Sequence, residues 1–412
     1  MDVLYRCCCG LDVHAKTLVA CLIIAGKKTV RTFSTMTEDI LALADWLTSS
    51  GCTHIAMEST GVYWKPVFNI LEGNFVVVLA NAQHIKNVPG RKTDVKDCEW
   101  IAELLRHGLI TASFIPPMPI RELRELTRYR QNLVEERARL ANRIQKIAES
   151  GNIKLSQVAS DALGVSGRAM LGAIAEGETD AQALADLARQ GLRKKLPDLR
   201  RALEGRLTPA QRWVLADLLY QYEQLETSVE RVSARIAQEV DQSPDPTIRE
   251  AIVLLDTIPG IALHAAEDIV AEIGTQMSQF GSSQRLASWA GMCPGNNESA
   301  GKRKSGKTTK GSSHLRRVLV QASWASSRTK NTSLGAQYHR LARRLGNKKA
   351  SVAVGHSILV IIYHMLDRKE PYRELGANYY DINDKERTQK RLVGKLESLG
   401  FAVHLEPKGN AA

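Results

Sequence analysis

The start of the chain runs through secondary structure in an order that few folds share. The apolar runs RCCCGLDV, TLVACLII and TVRTFST follow one another across short polar links, so three strands are expected in succession. TEDILALADWLTSSG then has helical periodicity, with Thr37 expected as its N-cap and Gly51 at its C-terminal end. Strand HIAME, helix WKPVFNILEG, strand FVVVLA and a helix through DVKDCEWIAELLRHG follow.

The resulting order, β-β-β-α-β-α-β-α, is the connectivity of ribonuclease-H-like folds. It places four carboxylates together. Asp12 ends the first strand and Glu58 ends the fourth, while Asp94 and Asp97 lie three apart near the start of the last helix, on one face. In such a sheet the first and fourth strands are neighbours and the last helix packs across them. Clustered carboxylates repel one another unless a cation lies between them. Mg2+ takes oxygen ligands, and two such ions can clamp the attacking and leaving oxygens of a phosphodiester. A single acid among these four reads as a solvated surface residue; the quartet reads as a metal site.

From about Ile120 to Val240 the chain is almost entirely helical in pattern. Leu218, Tyr222, Leu225, Val229, Val232 and Ile236 repeat with alternating gaps of four and three, a heptad seam that requires a partner helix. That partner is either a second copy of the chain or the earlier helix around Leu133, Leu140 and Ile147. SPDPT, from Ser243 to Thr247, marks a boundary. LLDTIPGIALHAAEDIVAEIG then reads as a helix-hairpin-helix-like segment, which either offers backbone N–H groups to a phosphate or is a structural corner. SVAVGHSILVIIYHML carries two histidines and reads as a buried helix, not a membrane span. A charged tail beyond Asp367 includes a helix around Lys385 to Leu399.

Lys and Arg number 56 against 44 Asp and Glu, a net charge of +12 with an isoelectric point near 9.4. The excess points to a polyanionic partner. Seven cysteines show no metal-binding spacing, and Cys7, Cys8 and Cys9 suit a strand, so reduced thiols in a cytosolic protein are expected. No signal peptide is expected at MDVLYRCCCGLDV.

The segment GKRKSGKT, from Gly301, satisfies the P-loop pattern. A P-loop follows a strand and opens a helix. Here WAGMCPGNNES precedes it without an apolar run, and the next helix waits until Ser312 or Ser313 can cap it. The match is therefore coincidental. Phosphate chemistry remains, because Ser299 to Val320 holds seven Lys or Arg residues and no acid. Lys302, Arg303, Lys304, Lys307, Lys310, Arg316 and Arg317 are expected to bind a nucleic-acid backbone, with glycines 301, 306 and 311 allowing its close approach.

Three blocks, MESTGVYWKPVFNILEG, NAQHIKNVPGRKTDVKDCEWIAELLRHGLI and the C-terminal stretch from IPGI through LASWAGMCPGNNESAGKRKSGKTTKGSSHLRRVLVQAS, together resemble one family. It is that of the DEDD-type insertion-sequence transposases related to the Piv site-specific DNA invertase, some of which are guided by a bridge RNA. The similarity runs from about residue 5 to residue 370. It implies a RuvC-like domain carrying Asp12, Glu58, Asp94 and Asp97, and a catalytic serine at Ser299. It also implies a composite active site, assembly as a dimer or tetramer across donor and target DNA, and guidance by a noncoding RNA. Two departures are local: Ala15 stands where the family often has lysine, with Lys16 one later, and Gly311-Ser312 replaces a glycine-asparagine pair.

The expected architecture is thus an α/β RuvC-like catalytic domain at 1–118 and a helical, coiled-coil and oligomerisation region at 119–245. A mainly α transposase domain at 246–370 and a charged tail at 371–412 follow. The expected activity is strand cutting and rejoining with two Mg2+ ions and Ser299 as nucleophile, in the cytoplasm of a bacterial-type cell, on nucleoid DNA. Ser305 is the nearest competitor for the nucleophile. Two other readings are a RuvC-like nuclease in which water attacks, and a non-catalytic nucleic-acid-binding protein.

Overall fold

A computed structural model describes residues 2–59, 61–80, 85, 97–295, 297–299, 302–383 and 385–405. The chain forms two compact units, Met1–Ile115 and Pro116–Ala412.

The first unit is built on a five-stranded mixed sheet, compatible with a ribonuclease-H-like domain. Its strands are β1 (Cys7–Val13), β2 (Thr17–Ile24), β3 (Lys27–Ser34), β4 (His54–Glu58) and β5 (Val76–Ala80), in the order β3-β2-β1-β4-β5. The first three are antiparallel, whereas β1, β4 and β5 run parallel. Ala25 and Gly26, both at positive φ, make the two-residue turn that matches the strand twist between β2 and β3.

Alternation along β1 assigns its two faces. Cys9, Leu11 and Val13 pack with α1 (Thr37–Ser49) and α2 (Trp64–Leu71), while Cys8 packs on the other face with α3 (Asp97–Arg106). The expected cap of α1 is displaced by one residue. Met36 is the N-cap, without a side-chain bond, and Thr37 is the first helical residue. All seven cysteines are free, and burial pushes the Cys8 thiol up to about 11 and that of Cys21 up to about 12.

In the second unit α4 (Met118–Ser150) and α9 (Pro209–Gln242) form a long helical hairpin. Contacts between Ser150 and Gln211 near one end, and between Arg137 and Glu226 further along, fix the pair as antiparallel. Leu218, Tyr222 and Leu225 join a core with Leu140, Ile144 and Ile147, so the heptad seam finds a partner helix within the chain. Between the two arms sits a small insert with α5 (Leu155–Val158), α6 (Val165–Glu176), α7 (Ala181–Asp186), a 3-10 turn (Gln190–Lys195) and α8 (Leu196–Ala202).

Beyond the hairpin, α10 (Pro246–Asp256) and α11 (Leu263–Ile273) form the expected helix pair. Its Pro259-Gly260 turn is pressed on α13 (Ser313–Arg328): a Cβ at Gly260 would lie 2.4 Å from the Ala322 carbonyl oxygen. The turn therefore serves as a structural corner on that side. Between them lie α12 (Ser283–Trp289) and the hairpin β6 (Asn297–Ser299) and β7 (Lys302–Ser305). Next come α14 (Ser333–Leu345) and α15 (Asn347–Arg368), and then the short α16 (Tyr379–Asn383) and α17 (Lys385–Glu397). α15 is long and apolar enough to cross a membrane, yet it buries Ala350, Val354, Ile358, Leu359 and Ile362 against α12, α13 and α14.

Candidate active site

In the first unit the carboxylates gather at the ends of the parallel strands. β1 and β4 pair in the register Gly10 with Ala56 and Leu11 with Met57. One step further along each strand stand Asp12 and Glu58, both on the face that α3 covers. Gly10 makes that cover close. A Cβ there would lie 2.3 Å from the Cys98 oxygen and 2.4 Å from the Ala102 nitrogen, so only glycine lets the helix rest on the strand. The same contact brings Asp97, the first residue of α3, to the Asp12 end of β1.

Electrostatics reports the result. Burial raises the Asp12 carboxyl above its ordinary value; His14 opposes the rise, and the charges of Asp97 and then Glu58 add to it. His14 Nε2 lies 3.1 Å from Asp12 Oδ2. Its place one step beyond the strand end gave no sequence signal of this contact. Asp94 lies outside the described residues. Among the described residues no three ligating side chains are close enough to hold a metal ion. The donor set is nonetheless all oxygen and mutually repulsive, which is the chemistry that a hard divalent cation relieves.

In the second unit Ser299 is the last residue of β6, and its backbone pairs with Lys302 of β7. Lys302–Ser305 is a strand, and α13 begins only at Ser313, so Gly301 to Thr308 lacks the strand-loop-helix geometry of a nucleotide-binding loop. The root of the hairpin is fixed by the Pro294–Thr308 bridge and by Gly295 N–H donating to the Lys307 carbonyl at 2.8 Å.

Three residues expected at a nucleic-acid surface also meet groups of the chain itself. Arg316 donates to the Gly291 carbonyl and to Thr308 Oγ1. Arg317 pairs with Glu135 of α4 at 2.7 Å. Gly311 packs on its own chain, where a Cβ would lie 2.3 Å from the Ala290 carbonyl carbon. Arg316 and Arg317 are half-buried and Gly311 is exposed, so these contacts leave all three at the surface. Lys307 and Lys310 are exposed.

Behind the root lies a buried ionic network that the sequence did not announce. Glu267, Asp268 and Glu272 of α11 are buried. Arg130 of α4 binds Glu267 at 2.5 Å and Asp268 at 2.8 Å, and Arg128 grips Glu272 at 2.6 and 3.0 Å. Arg124 donates to the Ala271 and Glu272 carbonyls at the C-terminal end of α11, where a cation is favoured. Ser312, the N-cap of α13, accepts the Leu315 N–H and donates to Glu272 at 2.9 Å. Burial would raise the Glu272 carboxyl, but Arg128, Arg124 and Ser312 outweigh it and hold it below the ordinary range. The burial of these three acids depends on arginines more than a hundred residues away in the sequence.

A family model for the DEDD transposase of IS110 matches residues 9–151, which include all four expected acids. A second, described as the transposase IS116/IS110/IS902 family, matches residues 253–339, which include Ser299 and the basic hairpin. No curated protein matches the chain.

Proposed function

The chain belongs to the IS110 family of transposases, enzymes that cut and rejoin DNA, and we propose that it does so through a serine-linked DNA intermediate. The observation that carries this reading is the presence in one chain of two elements: carboxylates at neighbouring strand ends, Asp12 and Glu58, and a basic β-hairpin whose first strand ends on Ser299. The N-terminal sheet is then a RuvC-like domain. Asp12, Glu58, Asp94 and Asp97 would hold two Mg2+ ions, which when bound supply charge stabilisation at a scissile phosphate.

Ser299 Oγ forms a bond to phosphorus while the bond from phosphorus to the departing strand breaks. The serine proton passes to solvent, and the departing oxygen is released as a hydroxyl. The phosphoserine link conserves the phosphodiester bond, so a hydroxyl of a second strand can reverse the step without ATP. Lys302, Arg303, Lys304, Lys307 and Lys310 position the backbone and do not read bases. Arg316 and Arg317, half-buried at the start of α13, add to this contact, and Arg316 also braces the hairpin root. The working form is a dimer or tetramer on donor and target DNA, acting on nucleoid DNA in the cytoplasm, with a noncoding bridge RNA selecting both partners.

The test is to trap the adduct on labelled DNA carrying the element ends and to locate the modified residue by mass spectrometry. Ser299→Ala abolishes the adduct, while Ser305→Ala retains it. An adduct formed by Ser299→Ala would sink the assignment. Cleavage by Ser299→Ala that still needs Asp12 would point instead to attack by water.

A further inference from the structure

The insert between the arms of the helical hairpin segregates its charge. Residues 151–188 hold two Lys or Arg and five Asp or Glu, whereas residues 189–206 hold seven and two. The acids of the first part are occupied locally. Asp180 caps α7 through the Gln182 and Ala183 N–H groups, Glu178 accepts from Thr179 and Asp180, and Asp161 accepts from Leu163.

The cations of the second part face outward. Leu199 and Ala202 are the buried residues of α8, which leaves Arg200 and Arg201 exposed, and the 3-10 turn carrying Arg193, Lys194 and Lys195 buries nothing. Lys195 donates to the Val158 carbonyl. Among the described residues Arg189, Arg193, Lys194, Arg200 and Arg201 are in no ion pair. A face with five unpaired cations repels itself and gains by meeting a polyanion.

Its position along the hairpin is fixed. Arg128 of α4 reaches Ser312, and so the root of the Ser299 hairpin, through Glu272. From Arg128 to Ser150, where the insert begins, α4 rises by about 33 Å at roughly 1.5 Å per residue. That is close to one turn of duplex DNA, about 34–36 Å.

We infer that the face formed by Arg189, Arg193, Lys194, Arg200 and Arg201 is a second DNA-backbone contact, meeting duplex DNA about one helical turn from the phosphates held by the Ser299 hairpin. It takes its partner from the family's action on DNA and is independent of which residue is the nucleophile.

The test measures binding without Mg2+, so that cleavage plays no part, on duplexes of about 40 and about 8 base pairs, the shorter being less than one turn and too short to reach both contacts. The variant combines Arg193→Gln, Lys194→Gln, Arg200→Gln and Arg201→Gln. On the long duplex the slope of log K against log salt should fall by about 3.6, from roughly 0.9 per lost phosphate contact. The hydroxyl-radical footprint should shorten by about one turn at one end, and binding to the short duplex should match that of the parent protein. A second variant, with Arg193→Lys, Arg200→Lys and Arg201→Lys, should keep the parent slope, which separates lost charge from lost folding. An unchanged slope and footprint overturns the inference, as does an equal loss on both duplexes or a loss confined to single-stranded RNA.

Discussion

Ser312 donates a 2.9 Å hydrogen bond to the buried carboxylate of Glu272, which Arg128 holds from the other side. One carboxylate thus ties the N-terminus of α13, and the end of the basic loop before it, to the long helix α4. Glu272→Gln keeps the shape and one acceptor but removes the charge that Arg128 answers. Because Arg128 is 38% exposed and can turn to water, the expected cost is about 1–3 kcal/mol and not the full cost of a broken buried pair. Urea unfolding of both proteins reads it.

The same carboxylate gives the stability a pH dependence of known sign. Its folded pKa lies below the ordinary glutamate value of 4.5, so it contributes stability that is fully present above that value and lost as pH falls through the folded pKa. The gap between the parent protein and Glu272→Gln should be constant from pH 7 to about 5.5 and narrow below about 4.5. Thermal melts at stepped pH measure it; a gap that widens on acidification contradicts the assignment.

Gly10→Ala tests the seat of α3. The added Cβ meets backbone, not a movable side chain, so helix and strand must separate. The expected destabilisation is about 1–3 kcal/mol. DNA cleavage should fall further than stability does, since Asp97 moves away with the helix. Comparing melting temperature with cleavage rate separates the two effects.

Asp12→Asn should do the reverse. It removes one of three mutually repelling carboxylates, so the metal-free protein should be as stable as the parent or more so, while cleavage falls by about a hundredfold or more. Mg2+ should stabilise the parent by about 2.7 kcal/mol at a hundredfold excess over its dissociation constant, raising its melting temperature, and leave that of Asp12→Asn unmoved. Calorimetry with and without EDTA decides.

Lys310→Gln and Arg316→Lys should separate lost charge from lost bracing. Lys310→Gln should lower the slope of log K for DNA against log salt by about 0.9 without loss of stability. Arg316→Lys, which loses the planar fork that reaches Gly291 and Thr308, should lower stability and leave the slope unchanged.

The sheet and its carboxylates were legible because a strand's side-chain period is two. Asp12 and Glu58 share a face once β1 and β4 are neighbours, and strand order followed from the run of elements. The heptad seam announced a partner helix but not its owner, since Leu218 and Leu225 bury equally well against Ile147 or against another copy. Thr37 stood one residue inside the helix it was expected to cap, because Thr and Met differ little there when no side-chain bond forms. Arg316, Arg317 and Gly311 have neighbours within the chain that the sequence did not announce. The groups they serve, at Gly291, Glu135 and Ala290, come from elsewhere in the sequence, and composition does not distinguish a carbonyl or carboxylate from a phosphate.

The insert leaves the helical hairpin and returns to it at nearly one point: the Arg206 N–H donates to the Gly151 carbonyl at 2.8 Å, and the Lys154 N–H to that of Ala202 at 2.8 Å. Its two ends are therefore already joined, and the arms on either side keep their alignment whatever lies between. Yet Leu140, Ile144, Leu215 and Leu218 share its core, so outright removal would leave oily surface in water. Such a site tolerates exchange far better than loss. Related chains can differ here in size and charge while the two arms stay the same, provided that each replacement brings its own apolar floor.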